Sequence, residues 1–245
     1  MKVVVLGATK GIGRAVARRL AARGDQLFLL GRDQHDLERS AGDLAIRGSQ
    51  AAVLGTAVCD LGDPHTFLPA LDAAAAAMSS VDCVVVTAAD FGTQDALEAD
   101  LERTRHLLDV NFTNTIVFCE SARTRLLARG GTLCVLSSVA GDRGRKPVVL
   151  YGAAKAGLSY YLEGLDHKYR LDGLRVVCVK PGFVKTSMTS GLKPPPFAGE
   201  PDGVAADIVR AIDRGQPVVY TPRIWRLVML VIRLLPRAVM RRIGF

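Results

Sequence analysis

The sequence predicts a doubly wound α/β domain of about seven parallel strands, with helices on both faces and a C-terminal amphipathic helical tail. Two observations predict it. Apolar, β-branched runs alternate with helical stretches along a chain of 245 residues, the pattern of a parallel sheet covered on both sides. A glycine-rich turn also joins the first such run to the first helix. The length suits one domain with a large core. The natural division is a body over residues 1–221 and a tail over 222–245.

Lys2-Val-Val-Val-Leu6 is too short and too branched for a helix and reads as a buried strand. Strands follow from the same pattern at 2–7, 26–31, 51–58, 81–87, 131–137, 173–180 and 217–220. Helices are expected between them at 11–23, 33–47, 64–77, 96–128, 151–170 and 202–214. In such a fold, ligands bind at the C-terminal ends of the strands. No repeat or linker interrupts the chain, and the low-complexity Ala73 to Ala77 lies within a helix.

Gly7-Ala-Thr-Lys-Gly11-Ile-Gly13 lies between the first strand and helix. Glycines there let backbone N–H groups approach a pyrophosphate, whose charge the helix N-terminus favours. The spacing is Gly-x-x-x-Gly-x-Gly, not the common dinucleotide-binding pattern, so a plain tight turn stays open on this motif alone.

Ser138 lies in Leu136-Ser-Ser-Val-Ala-Gly141, and Tyr151-Gly-Ala-Ala-Lys155 follows shortly after. A Tyr and a Lys four residues apart share one face of a helix. Free tyrosine titrates at about 10 and is a poor acid or base at neutral pH. A nearby ammonium favours the phenolate and lowers that value. With a serine hydroxyl to hold the reacting oxygen, the trio can pass a proton to or from a carbonyl or alcohol. A hydride must then move too, which calls for a nicotinamide.

Taken together, these motifs resemble the short-chain dehydrogenase/reductase family over nearly the whole chain. The resemblance implies a single Rossmann-like domain with strand order 3-2-1-4-5-6-7. It implies catalytic roles for Asn111, Ser138, Tyr151 and Lys155, with Asn111 in Asp109-Val-Asn-Phe-Thr ordering a water near the lysine. It places the cofactor against Gly7, Thr9, Lys10, Gly11, Ile12, Gly13, Arg32, Asp60, Leu61, Ala88, Tyr151, Lys155, Pro181, Gly182, Val184 and Thr186. Asp60 matches the residue that bonds the adenine, and Thr186 the one that contacts the nicotinamide carboxamide. One motif departs: the Asn-Asn-Ala-Gly stretch after strand four reads Thr87-Ala-Ala-Asp90. No metal is implied.

The choice of nicotinamide is a question of charge. NAD-preferring folds place an acid at the end of strand two. Here that strand runs into Gly31-Arg32, whose planar donor fork suits a 2′-phosphate. The resemblance places Lys10 beside the same phosphate, and Asp33 comes one residue late for the NAD role. NADP(H) is therefore expected, and NAD(H) stays open.

The substrate must be read from variable segments. Residues 187–201 are rich in Pro and Gly and read either as a lid or as an ordinary surface loop. Arg143, Arg145 and Lys146 crowd the loop between Ser138 and Tyr151. They read either as a binding site for an anionic substrate such as a phosphate ester or as a solvated face.

The net charge of +8 resides almost wholly in the tail. Residues 214–245 hold seven arginines (214, 223, 226, 233, 237, 241, 242) and no Asp, Glu or Lys. Arg226 and Arg233 interrupt Ile224–Leu235, so it lacks the about 20 apolar residues of a membrane span. At helical spacing Arg223, Arg226 and Arg233 share one side, which fits an interfacial helix with Trp225 as anchor. Packing on the body, closure of the pocket or a dimer contact would use the same apolar face. The arginines interleave with aliphatics and lack a platform of aromatics, which argues against nucleic acid.

Cys59, Cys83, Cys119, Cys134 and Cys178 are an odd number with no Cys-x-x-Cys. They read as small buried hydrophobes, and with no signal peptide they point to the cytoplasm, either free or peripheral on the inner face of the membrane.

One branch of the family fits these features together: the reductase that partners a decaprenylphosphoryl-ribose epimerase. The resemblance is carried by Tyr151 to Leu158, the Arg143 to Lys146 loop, Lys180 to Met188, and the tail through Leu234-Leu-Pro-Arg237. It implies reduction of a polyprenylphosphoryl 2-keto-sugar, contact with a membrane and an FAD-dependent oxidase as partner. The wider family implies a homo-oligomer built on the helices around 96–128 and 151–170. Reduction of another lipid or small hydrophobic ketone, or nucleotide sensing without turnover, are the alternatives.

Overall fold

The computed structural model describes residues 1–47 and 52–244. Seven parallel strands form one sheet in the order β3-β2-β1-β4-β5-β6-β7. They are β1 (Lys2–Leu6), β2 (Gln26–Gly31), β3 (Val53–Val58), β4 (Cys83–Val86), β5 (Thr132–Leu136), β6 (Arg175–Pro181) and β7 (Val218–Thr221). The fold class and strand order are those expected. The first residue of the expected strand 51–58 lies outside the described residues.

Alternation along each strand builds two cores. Val4 and Leu6 of β1 face α3 (Phe67–Met78), α6 (Asn114–Leu127) and α7 (Val149–Tyr169). Val3 and Val5 face α1 (Gly11–Ala22), α2 (Gln34–Arg47) and α8 (Pro201–Arg214). The period of two makes this split inevitable in a sheet covered on both sides. All five cysteines are buried and unpaired. Burial pushes the Cys59 and Cys83 thiols up to about 12, so they behave as packing groups.

Two expected helices are divided. The stretch 96–128 resolves into α4 (Gln94–Ala99), α5 (Leu101–Leu108), a π-helical turn at Asp109–Thr113, and α6. Asp100 ends α4 in an extended conformation and caps α5 by accepting from the Arg103 N–H at 3.0 Å. The stretch 64–77 opens with a 3₁₀ turn, Pro64–Thr66, because Asp63 caps His65 before α3 begins. The tail forms α9 (Ile224–Leu234) and α10 (Arg237–Arg242), separated at Pro236. Among the described residues no helix is long and apolar enough to cross a membrane.

Candidate active site

The C-terminal strand ends and the loops beyond them line a cavity of about 530 Å³. Its floor is the glycine turn. Gly7 has φ +91°, and a Cβ there would lie 2.6 Å from Thr87 Oγ1. A Cβ on Gly13 would meet Gly7 O at 2.2 Å and Thr87 Oγ1 at 2.3 Å. These glycines are therefore demanded by close packing of the turn on the end of β4. Thr87, where the family pattern departs, donates its hydroxyl to Leu6 O at 2.9 Å and Gly7 O at 3.2 Å. The departure thus fastens the turn to the sheet.

Gly11 also has positive φ and leaves only Thr186 as a near neighbour. The start of α1 has no side-chain cap and no acid in its first turn. Its free N–H groups, the open turn and the glycine cradle fit a dinucleotide pyrophosphate. Thr9 lies near Gly31 at the end of β2. Arg32 follows, exposed and without a hydrogen-bond or ion-pair partner among the described residues. Asp33 accepts from the Asp36 N–H at 2.8 Å and so caps α2. Lys10 pairs with Asp36 at 2.9 Å and holds that carboxyl below its usual range. Lys10 also reaches the cavity wall.

The remaining expected cofactor contacts spread along the same edge. Asp60 Oδ1 accepts from the Gly62 N–H at 2.9 Å. Leu61 packs into the core, and its carbonyl accepts from Asn114 Nδ2 at 2.7 Å. The Ala88 N–H donates to Leu6 O at 3.3 Å. Ile12, Pro181, Gly182, Val184 and Thr186 all line the cavity. Gly7, Thr9, Arg32, Asp60, Leu61 and Ala88 lie outside its lining.

Ser138, Tyr151 and Lys155 converge on one wall. Ser138 leaves β5 in an extended conformation and caps the turn Val139–Gly141, its Oγ accepting from the Ala140 N–H at 3.0 Å. Tyr151 sits in the first turn of α7 with Phe91 packed edge-on at 5.3 Å between ring centroids. Burial pushes the Tyr151 phenol up to about 12, against a hydrogen bond with Ser138 that pulls it down. Lys155 is buried, and its Nζ donates to Leu136 O at 3.2 Å and lies 5.7 Å from the Tyr151 ring centroid. Burial pushes the lysine down to about 8. Burial thus dominates at the tyrosine, opposed by the Ser138 hydrogen bond and not by the expected influence of the lysine.

Asn111 is fully buried in the π-helical turn. Its Oδ1 accepts from the Asp90 N–H at 2.9 Å, and its Nδ2 donates to Asp90 O at 2.8 Å. The side chain is thus committed to fixing the segment after β4.

Of the three loop cations, only Arg145 lines the cavity. Arg143 Nη2 donates to Leu235 O at 2.9 Å, and Lys146 Nζ donates to Arg241 O at 2.7 Å. Both therefore hold the C-terminal ends of the tail helices, where cations are favoured, and not a ligand. Arg145 is largely buried, its Nε has no partner, and desolvation lowers its pKa. Asp142 sits in the same loop. It accepts from Lys180 Nζ at 2.6 Å and from Tyr220 Oη at 2.8 Å, and so is fully engaged.

Three site features were not legible beforehand. Phe91 carries no motif. The Asp142–Lys180–Tyr220 network joins residues far apart in the chain. Trp225, expected as an interfacial anchor, is instead buried against the site. Its Nε1 donates to Phe197 O at 3.1 Å, and a Cβ on Gly182 would lie 2.1 Å from that nitrogen. The indole is wide and flat, and Gly182 is the surface that admits it. The loop expected as a lid contributes Met188, Leu192 and Pro195 to the lining.

A glycine-cradled dinucleotide site beside a Ser–Tyr–Lys wall defines an α/β oxidoreductase. The family model for short chain dehydrogenases matches residues 1–195, and the chain belongs to that family. It is 33% identical over 241 residues to an uncharacterized oxidoreductase of Mycobacterium tuberculosis, covering 98% of this chain and 96% of that one. A short-chain type dehydrogenase/reductase from Mycobacterium ulcerans superposes with a TM-score of 0.81 at 21% identity, over 89% of this chain and 87% of that one. A crystal structure of actinorhodin polyketide ketoreductase with NADPH gives a TM-score of 0.80 at 22% identity, over 89% and 94%. These two structures share the fold.

Proposed function

We propose that the protein reduces a ketone to an alcohol with NADPH. The observation that carries the reading is the convergence of Ser138, Tyr151 and Lys155 on the cavity that the glycine turn floors. Bound NADPH supplies the hydride. Tyr151, protonated at neutral pH, donates its proton to the carbonyl oxygen that Ser138 orients. Lys155 supplies positive charge beside the phenol and would hold the nicotinamide ribose, while Asn111 fixes the segment opposite. Arg32 and Lys10 would hold the 2′-phosphate. Capping of α2 by Asp33 supports this choice, because it removes the nearest acid from a ribose-binding role.

The substrate reading is a keto-sugar joined through phosphate to a polyprenol, as the sequence resemblance implies. Arg145 supports it as a cation without a partner among the described residues, in a wall otherwise rich in Leu192, Pro195, Phe183 and Trp225. That apolar lining also favours a second reading, a short hydrophobic ketone.

The test is NADPH oxidation with a polyprenylphosphoryl 2-keto-pentose beside simple ketones. Tyr151→Phe is expected to lower kcat by at least about 100-fold, the small end of general acid catalysis, while NADPH still binds. Near-normal turnover in that variant would refute the proton role. Equal kcat/KM for both kinds of ketone would remove the phosphate-linked substrate and leave the reductase standing.

A further inference from the structure

Packing uses one face of α9 and leaves the opposite face bare. Trp225, Met229 and Ile232 turn inward onto Val139. Ile224, Leu227, Leu230, Val231 and Leu234, spaced three and four apart, point outward and are between 38 and 75% exposed. At 100° per residue the two sets lie on opposite sides of the helix. Arg226 and Arg233 run between them, and Arg237, Arg241 and Arg242 continue the charge along α10. None of these five pairs with an acid among the described residues, and no acid follows Asp213 in the sequence.

A second exposed apolar group is tied to α9. Phe197 has φ +66°, a region that bulky residues rarely occupy, and it is 59% exposed. Its carbonyl accepts from Trp225, so the strained turn is locked to α9. An exposed aromatic and an exposed aliphatic stripe are thus held on one rigid base.

We propose that this surface docks on an anionic lipid bilayer, with the α9 stripe in the interface and the arginines among the headgroups. The chemistry matches on both counts: an apolar stripe suits the acyl boundary, and an acid-free arginine rim suits anionic lipid. A helix of 11 residues lies along such an interface and does not cross it. Trp225 serves as the keel that fixes α9 to the body. Because Trp225 also lines the cavity, docking sets the cavity beside the bilayer. This last consequence rests on the lipid-linked substrate proposed above, whereas the docking surface does not.

The full-length chain is tested by co-sedimentation with vesicles of phosphatidylcholine alone and with added phosphatidylglycerol. Binding is expected only with the anionic lipid, falling as salt rises. Arg226→Gln and Arg237→Gln are each expected to lower the partition about fivefold. Leu230→Gln combined with Leu234→Gln should lower it further, with NADPH binding and melting temperature retained. Trp225 is the only tryptophan, and it faces the body, so its emission maximum should stay fixed on binding. Absence of binding, equal binding by the Leu230/Leu234 variant, or a shift of Trp225 emission would overturn the proposal. So would light scattering that shows an oligomer which this variant dissociates, because a second copy would then cover the stripe. Normal docking without keto-sugar turnover would sink the substrate reading alone.

Discussion

The cofactor and substrate sides around the cavity handle charge in opposite ways. On the cofactor side, Arg32 and Lys10 are exposed, and Lys10 is held only by the partly exposed Asp36. On the substrate side, Lys180, Arg143 and Lys146 all donate to fixed protein acceptors, and among the described residues Arg145 has none. The first side waits for a ligand's charge. The second is a frame whose cations hold the loop between Ser138 and Tyr151 to β6 and to the tail. The glycine turn needs no such frame, because its own close packing on Thr87 and Ala88 fixes it.

The sharpest way to break this contrast is Asp142→Ala. Lys180 is 15% exposed, and with its acid gone it becomes an uncompensated, largely buried charge. Tyr220, whose phenol burial and Asp142 together push up to about 12, loses its acceptor too. Removing one partner of a buried pair costs about 3–5 kcal/mol. The expected result in denaturant unfolding is a loss of that order, with kcat reduced because Ser138 shares the loop. A loss under about 1 kcal/mol would show that the network is ornamental to stability.

Lys155 tests the same wall with the opposite sign. Its value of about 8 lies below the ordinary 10.5, so the unfolded chain holds more protons across that window. Stability therefore rises with pH from about 8 to about 10.5, and below 8 the buried charge costs up to about 3 kcal/mol. Lys155→Met should raise stability at pH 7 by about 1–3 kcal/mol, removing both the upward pH slope and the activity. Wild-type turnover in the reductive direction should decline as pH rises through about 8. A variant that is less stable at pH 7, with the slope intact, would place the titration elsewhere.

The strands and the glycine turn could be read in advance because they rest on local signals, whereas the strand order came from the family resemblance. Short apolar, β-branched runs define strands, and glycine spacing defines the turn. The misreadings share a cause: a side chain's role was set by partners distant in sequence. Trp225 has the composition of an interfacial anchor until Gly182 is seen to admit its ring. Arg143 and Lys146 look like ligand cations until the tail's carbonyls reach them. The long helix 96–128 was divided by a local cap at Asp100, which the sequence does show, and by a π-helical turn that only the Asn111–Asp90 pairing explains.

Arg32→Ala gives the smallest structural effect and the cleanest functional one. Arg32 is exposed and unpartnered among the described residues, so unfolding stability should change by less than about 0.5 kcal/mol. Its fork is free for a phosphate, and a hydrogen bond to a charged group is worth about 1.5–3 kcal/mol. The KM for NADPH should therefore rise by about tenfold or more, while that for NADH, which lacks the 2′-phosphate, stays nearly fixed. Lys10→Ala should add a weaker effect in the same direction, since Asp36 already competes for that ammonium. Equal changes in both KM values would mean that Arg32 reads the shared part of the dinucleotide. The cofactor side would then discriminate no better than the glycine turn alone.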